Sequence, residues 1–340
     1  MPESSMNNAI PATVENDCKI CGAHGPHQAY RAREMMFGLR EEFRYFECIA
    51  CACLQIQVIP DDIERFYPRD YYAFNTSPEL NAGRFYRAVL LRAKDRYAVF
   101  GHGILGRLLF QRAPEYDLRS LMRLHPQSTS NILDVGCGSG KLLFRLREIG
   151  FKNLLGVDPF IADDFSYRNG LQIRKRFLRE MTGAWDIVMF HHAFEHMANP
   201  LETLVEVRRL LKPSGTCVIR IPKSDSYAWR HYRTDWVQLD APRHFFLHSR
   251  ASMDHLAHAA GMKIVAVQDD STEFQFMGSE LYRRDLPHKD YSQRYGDFFS
   301  RSQIQEFRTR SNQLNATGEG DSAAFYLTLT NEGPFAPERH

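Results

Sequence analysis

Apolar runs and helical spacings alternate regularly through the second half of the chain. After each short apolar run, apolar residues recur at intervals of three and four positions, as in the segments that begin at Lys141 and Pro200. This alternation is typical of a doubly wound α/β sheet. The runs predict strands at 131–135, 153–157, within 171–177, at 186–190, 216–221 and 263–268, and a last alternating strand at 323–329.

Three glycines at alternate positions follow the first of these strands. Gly136, Gly138 and Gly140 end the sequence NILDVGCGSG (131–140), and Asp134 lies two residues before the first of them. Because glycine has no side chain, the backbone can turn sharply and approach a ligand closely. The helix that follows would direct its N–H groups and its dipole at an anionic ligand group. The pattern predicts a nucleotide-type binding site.

An acidic residue at the end of the second predicted strand narrows the ligand class. In a doubly wound sheet Asp158 would lie beside the glycine loop, where a carboxylate accepts hydrogen bonds from ribose hydroxyls. Dinucleotide loops usually have the spacing G-x-G-x-x-G, whereas this loop has G-x-G-x-G preceded by Asp134. A carboxylate there suits an amino-acid end, so the spacing favours S-adenosylmethionine over a dinucleotide.

Four of the seven cysteines form two Cys-x-x-Cys pairs near the N-terminus. They are Cys18, Cys21, Cys48 and Cys51. Two such pairs supply a closed tetrahedral thiolate site for Zn²⁺. Residues 15–60 are too few for a robust core, so a structural metal would stabilise them. Cys53, His24 and His27 are further candidate ligands, and buried or redox-active thiols are the alternative interpretation.

Helical spacing also predicts a helix from Arg84 to Phe100, in a basic part of the chain. Between Arg84 and Arg112 there are seven basic residues and one acid, Asp95. Two interpretations remain open: a helix packed on the main domain with a solvated basic face, or a surface for a phosphorylated substrate, RNA or anionic lipid.

Composition adds few constraints. The net charge of +2 supplies no global field that would recruit nucleic acid or a membrane. The N-terminal residues lack the pattern of a signal peptide, and the most apolar window, 98–110, is too short to span a bilayer. These features predict a cytoplasmic protein with no membrane span.

Taken together, the motifs resemble class I S-adenosylmethionine-dependent methyltransferases. The matching segments are LDVGCGSG (133–140), GVDP (156–159), FEHMANP (194–200) and LLKPSG (210–215). The resemblance covers about 118–331 and implies a Rossmann-like seven-stranded sheet with an antiparallel last strand. It also implies a set of cofactor-binding residues, which are Asp134, Gly136, Gly138, Gly140, Asp158, Phe190 and His191.

The front of the chain is similar to a bacterial subgroup of that family. Its members carry a zinc-ribbon-like Cys-x-x-Cys segment before the methyltransferase domain and act on sugars or secondary-metabolite precursors. The segment WVQLDAPRHFFLHS (236–249) is similar to a loop that recurs in this subgroup. The resemblance implies a small-molecule substrate such as a sugar or nucleotide sugar. We expect methyl transfer to oxygen, with carbon and nitrogen as the alternative acceptor atoms.

Two histidines are candidates for the base that an oxygen nucleophile requires. His192 follows the fourth predicted strand, and His244 lies in the segment after the fifth. Trp236, Asp240 and Arg243 are the candidate substrate-binding residues, since an arginine binds an anionic group bidentately. The alternative is an internally salt-bridged lid in which Asp240 pairs with Arg243.

The predicted organisation has five parts. They are a disordered lead (1–14), a zinc ribbon (15–60), a linker and helical region (61–117), a methyltransferase domain (118–331) with a substrate-cover insertion (272–321), and a tail (332–340). The insertion could equally form an oligomer contact. Two further functions stay open: an RNA methyltransferase that uses the ribbon and the basic helix, and a cofactor-binding protein without catalytic activity.

Overall fold

The computed structural model describes residues 12–67, 85–113, 116–291 and 294–330. Two compact units divide the chain. The first contains Met1–Ile63, Lys223–Met253 and Ser271–Asp321, and the second contains Glu64–Pro222, Asp254–Asp270 and Ser322–His340. Most of the predicted lead, part of the linker (68–84) and the predicted tail lie outside the described residues.

The strands of the described residues, in chain order, are β1 (Thr13–Val14), β2 (His27–Arg33), β3 (Glu42–Glu47), β4 (Leu54–Ile56), β5 (Asn131–Val135), β6 (Asn153–Val157), β7 (Phe165–Ser166), β8 (Gln172–Arg174), β9 (Trp185–His191), β10 (Leu211–Pro222), β11 (Phe246–Leu247), β12 (Met262–Asp269) and β13 (Ser322–Leu329). The α-helices are α1 (Phe85–Phe100), α2 (Ile104–Arg112), α3 (Tyr116–Arg119), α4 (Lys141–Glu148), α5 (Pro200–Leu210), α6 (Tyr227–Tyr232), α7 (Arg250–Ala259), α8 (Phe274–Arg283), α9 (His288–Tyr291), α10 (Tyr295–Phe298) and α11 (Arg301–Thr317).

A sheet in the order β1-β2-β3-β4-β11 forms the first unit together with helices. Its strand pairs are antiparallel. The strand β11 comes from far along the chain and pairs with β4, with Leu247 opposite Leu54. The sheet around the cysteine pairs is therefore completed by a segment that lies outside the predicted ribbon.

The late insertion forms helices α8 to α11, which also belong to the first unit. Its aromatic residues pack on one another: Phe276 stacks on Phe307 with ring centroids 5.2 Å apart, and Tyr291 meets Phe298 edge-on at 5.4 Å. These side chains thus form an internal core of the insertion.

An eight-stranded sheet in the order β12-β13-β10-β9-β5-β6-β8-β7 forms the second unit. The strands from β10 to β8 in that order run parallel, and β13 lies antiparallel between β10 and β12. The predicted Rossmann-like class and the antiparallel last strand are confirmed. The predicted count of seven needs one correction, because the two-residue strand β7 pairs with β8 at the sheet edge.

Buried aliphatic residues of the sheet and of α4 form the core of the second unit, as the helical spacing of α4 predicts. They include Ile132, Leu143, Leu146, Met189 and Val218. One boundary differs from expectation. The strand β10 begins at Leu211 rather than at 216, and its register against β9 shifts between Leu211 and Thr216, where the KPSG sequence bulges out.

Candidate functional site

The glycine loop of the second unit connects β5 to α4. Its three glycines, Gly136, Gly138 and Gly140, have φ angles of 71°, 52° and 69°. Side chains rarely adopt this left-handed region, so the turn requires glycine. The loop also lies close to the segment after β9: a Cβ atom on Gly136 would lie 2.6 Å from the Cβ of Ala193. A side chain at position 136 would therefore displace the loop or the segment after β9.

Asp158 lies at the end of β6 and binds this loop directly. Its Oδ2 accepts a hydrogen bond of 2.9 Å from the amide of Gly138, and its Oδ1 accepts one of 2.9 Å from the amide of Phe160. Each carboxylate oxygen keeps a further acceptor position. Burial raises the pKa of Asp158, while the two amide hydrogen bonds oppose that shift. The two amide hydrogen bonds therefore fix the orientation of the carboxylate and leave acceptor positions for further donors.

A second buried carboxylate lies near the first. Asp134 is buried at the end of β5, and burial together with the charge of Asp158 raises its pKa well above the ordinary value. A bound ammonium or sulfonium group would favour the charged forms of both carboxylates, which otherwise disfavour each other's ionisation. This pair of acidic residues therefore fits the positively charged cofactor S-adenosylmethionine.

The four paired cysteines form a compact cluster in the first unit. The sulfurs of Cys18, Cys21, Cys48 and Cys51 all lie within 4.8 Å of one another. Cys18 and Cys51 are 3.6 Å apart, as are Cys21 and Cys48. Zn–S bonds of about 2.3 Å place tetrahedral sulfurs about 3.8 Å apart, so the cluster fits a structural zinc ion.

The further candidate ligands have other partners. Cys53 is fully buried with its sulfur 3.9 Å from Nδ1 of His248. His24 binds Asp17 at 2.7 Å, and Nδ1 of His27 accepts a hydrogen bond from the amide of Ile49. None of the three candidates belongs to the four-sulfur cluster.

Sequence reasoning missed Gln55, a buried polar residue of β4. Its Nε2 donates a hydrogen bond of 2.8 Å to the sulfur of Cys18, and its Oε1 accepts one of 3.1 Å from the amide of Lys19. Such donors stabilise a thiolate ligand and fix its orientation. The signal was a polar residue within the apolar strand sequence Leu54–Ile56.

Comparison with known proteins agrees with the geometry of the loop. Residues 108–267 match the family model described as a methyltransferase domain. They form a class I S-adenosylmethionine-dependent methyltransferase domain. The matching segment contains the glycine loop, Asp134 and Asp158.

Curated relatives of the methyltransferase domain differ in their named activities. The chain is 28% identical over 152 residues to a ubiquinone biosynthesis O-methyltransferase of Maricaulis maris. This match covers 40% of this chain and 59% of that protein. It is 26% identical over 116 residues to a tRNA U34 carboxymethyltransferase of Trichlorobacter lovleyi. That match covers 30% of this chain and 35% of that protein. The chain thus spans about a third to three fifths of the length of these relatives.

Among solved structures, the chain is similar to the cyclopropane synthase MmaA2 from Mycobacterium tuberculosis. The TM-score is 0.41 at 12% identity, and the match covers 72% of this chain and 98% of that one.

Phe190 and His191, the last two residues of β9, have different surroundings. The side chain of Phe190 is fully buried and packs edge-on against Phe194, with ring centroids 5.6 Å apart. Only the backbone of Phe190 is therefore available to contact a ligand at this position. Both ring nitrogens of His191 are buried without a hydrogen-bond partner among the described residues. Burial lowers the pKa of His191 to about 3, so its ring is neutral.

His192 is held by an arginine that sequence reasoning missed. Nη1 of Arg220, on β10, contacts Nε2 of His192, and Nδ1 of His192 lies 3.5 Å from Oε1 of Glu195. Arg220 also pairs with Asp270 at 2.6 Å and with Asp117 at 2.9 Å. A single arginine within the apolar strand 216–221 was the available signal. Both ring nitrogens of His192 therefore face charged groups.

The DAPRH segment, residues 240–244 of the first unit, is internally paired. Nη2 of Arg243 lies 3.0 Å from Oε1 of Glu34 and also contacts Asp240, and the side chains of Arg243 and Glu34 are both fully buried. Trp236 is fully buried, and its Nε1 donates a hydrogen bond of 2.9 Å to Asp321. These contacts favour the salt-bridged interpretation over a substrate contact for Arg243 and Trp236.

His244 is also buried, and its two ring nitrogens face different groups. Its Nδ1 lies 2.7 Å from the carbonyl oxygen of Gln238, and its Nε2 lies 3.8 Å from Oδ2 of Asp240. Because a carbonyl only accepts, Nδ1 carries the proton in the neutral ring, and Nε2 holds the lone pair.

Among the described residues, no helix is long and apolar enough to cross a bilayer.

Proposed function

We propose that the chain is a methyltransferase that transfers a methyl group from S-adenosylmethionine to an oxygen of a small biosynthetic intermediate, such as a sugar or nucleotide sugar. The observation that carries the cofactor part is the pair of buried carboxylates at the glycine loop, with Asp158 bound to the amide of Gly138. The name of the O-methyltransferase relative supports oxygen as the acceptor atom. The sugar class rests on the resemblance of the N-terminal cysteine segment.

Each proposed cofactor residue has a separate task. When bound, S-adenosylmethionine supplies an activated methyl group on a sulfonium. Asp158 holds the ribose hydroxyls, and Asp134 balances the positive charge of the amino-acid end. The loop from Gly136 to Gly140 provides close backbone approach and excludes side chains. The enzyme then needs mainly to align the acceptor oxygen and to remove its proton.

His244 is the preferred base of the two candidate histidines. Its hydrogen bond to the Gln238 carbonyl fixes the tautomer that leaves Nε2 as the proton acceptor. In His192 the corresponding Nε2 already contacts the guanidinium of Arg220. Asp240, 3.8 Å from Nε2 of His244, would stabilise the imidazolium that forms.

Two variants separate these roles. His244→Gln should lower kcat and remove the acidic limb of its pH profile while leaving cofactor affinity unchanged. His192→Gln should keep that limb. If the limb disappears only in His192→Gln, His192 is the base and our assignment is wrong.

The central experiment measures cofactor binding and transfer separately. Calorimetry with S-adenosylmethionine should show binding that Asp158→Ala weakens at least about tenfold, since a charge-assisted hydrogen bond is worth roughly 1.5–3 kcal/mol. Asp163→Ala, which removes an exposed carboxylate five residues away, is the control and should bind normally. Equal affinity in all three proteins would contradict the cofactor site.

Transfer is then measured from radiolabelled cofactor to nucleotide sugars, phenols and bulk tRNA. Methylation of a sugar hydroxyl supports the proposed substrate class. Labelling of tRNA would instead support the second candidate, which is suggested by the tRNA carboxymethyltransferase relative. Binding without transfer to any acceptor would favour the non-catalytic alternative.

A further inference from the structure

Two successive helices of the second unit, α1 and α2, expose an unusual number of large apolar side chains. Ile104 is 84% exposed and Leu108 is 52% exposed, and they lie one helical turn apart on α2. The other exposed apolar residues of the two helices are Tyr86, Val89, Leu90, Leu91 and Leu105. Scattered exposed leucines are normal, but a concentration on one helix pair marks an interaction surface.

The exposed face is held rigidly. A Cβ atom on Gly106 would lie 2.3 Å from the carbonyl oxygen of Ala93, so the two helices approach each other closely at that glycine. On α1, Asp95 is buried, and its Oδ2 accepts a hydrogen bond of 2.9 Å from Nε of Arg145 on α4. Ala98 and Val99 join the core of the second unit. The face of α2 opposite Gly106 therefore points its apolar side chains away from the core.

Arginines lie among these apolar residues. Arg87, Arg107 and Arg112 are exposed, and within the described part of the chain no ion pair involves them. The only acid between 85 and 113 is Asp95, whose charge is matched by Arg145. The surface of α1 and α2 is thus both apolar and cationic.

We propose that α1 and α2 form a docking surface for an anionic lipid bilayer, with the helices lying in the plane of the interface. Leucine and isoleucine enter the boundary between headgroups and acyl chains, while long arginine side chains reach the phosphates. RNA fits this surface less well, because exposed aliphatic residues neither stack on bases nor bind their edges. A second copy of the chain would place the same uncompensated arginines opposite one another.

The test is flotation of the full chain with vesicles of phosphatidylcholine alone or with phosphatidylglycerol added. The protein should float with the anionic vesicles, and raised salt should weaken binding. Ile104→Ser combined with Leu108→Ser should weaken binding at least about tenfold, since burying each side chain contributes roughly 1.5–3 kcal/mol. The matched control is Leu201→Ser with Val205→Ser, an exposed pair with the same spacing on α5, which should bind like the parent.

Charge is tested in the same assay. Arg107→Glu should reduce binding to anionic vesicles, whereas Arg301→Glu, an equal charge change on the exposed start of α11, should not. Failure of the parent protein to bind anionic vesicles at low salt overturns the proposal. The proposal is also overturned if the double variant Ile104→Ser/Leu108→Ser loses tRNA binding or concentration-dependent dimerisation while its vesicle binding persists. None of these results depends on methyl transfer.

Discussion

The carboxylate of Asp158 accepts a hydrogen bond of 2.9 Å from the backbone amide of Gly138, which joins the end of β6 to the glycine loop after β5. This bond joins two segments of the proposed cofactor site that lie 20 residues apart in the sequence. It orients the carboxylate before any ligand arrives, so binding does not have to order that side chain.

The loop conformation gives the first prediction. Gly136→Ala should abolish measurable binding of S-adenosylmethionine, because the new methyl group would lie 2.6 Å from the Cβ of Ala193 and displace the loop. Gly22→Ala is the matched control: its φ of 73° is nearly the same, but nothing lies within 4 Å of the added Cβ. Both variants should lose about 1–2 kcal/mol from the strained backbone, and only the first should lose binding in calorimetry. Normal binding by Gly136→Ala would mean that the ligand does not use this loop.

The cysteine cluster gives the second prediction. Purified protein should contain about one zinc ion per chain, since the four sulfurs match a closed thiolate site. Cys48→Ser should lose most of that zinc and lower the melting temperature, and a chelator should do the same to the parent protein. Elemental analysis of Cys53→Ser is the control. If that variant loses zinc and Cys51→Ser keeps it, Cys53 is the ligand.

The buried pair of Arg243 and Glu34 gives the third prediction. Arg243→Met should lower the free energy of unfolding by about 3–5 kcal/mol, because it removes one partner of a fully buried ion pair. Arg294→Met, which breaks an exposed pair with Asp297, should cost less than about 1 kcal/mol. Denaturant titrations measure both. A stable Arg243→Met protein with only a raised KM would restore Arg243 as a substrate contact.

The buried ring of His191 gives the fourth prediction. Burial lowers its pKa from the ordinary 6.5 to about 3, so below pH 6.5 the unfolded chain binds a proton that the folded chain rejects. This contribution to stability is present above pH 6.5 and is lost as the pH falls toward 3. Between pH 6.5 and 5 the loss reaches up to about 2 kcal/mol.

The check compares two proteins, because Asp134 and Asp158 have raised pKa values and titrate in the opposite sense. In His191→Asn the acid-induced loss should be smaller, so the difference in unfolding free energy between variant and parent should change steadily from pH 7 to 5. Parallel stability curves over that range would show that His191 is accessible to protons in the folded chain.

Local features of the methyltransferase domain were predictable from the sequence. The glycine loop, Asp158 and the helix that begins at Pro200 lie within short segments, where spacing alone reports the backbone conformation. The two cysteine pairs are equally local, since each Cys-x-x-Cys turn forms from neighbouring residues. Hydrophobic periodicity also predicted the positions of the parallel strands, because burial on both faces leaves continuous apolar runs. The antiparallel orientation of β13 was implied by the resemblance to the methyltransferase family.

Contacts between distant residues were decided only by the tertiary structure. The pairing of β11 with β4 and the ion pair of Arg243 with Glu34 join residues about 200 positions apart, and no periodic pattern connects them. Arg220 appeared in the sequence only as a charge within an apolar strand, and its partners Asp270 and Asp117 come from other elements. A buried charge must be paired, so the sequence indicates that Arg220 needs an acidic partner. Only the tertiary structure determines which acidic residues lie beside it.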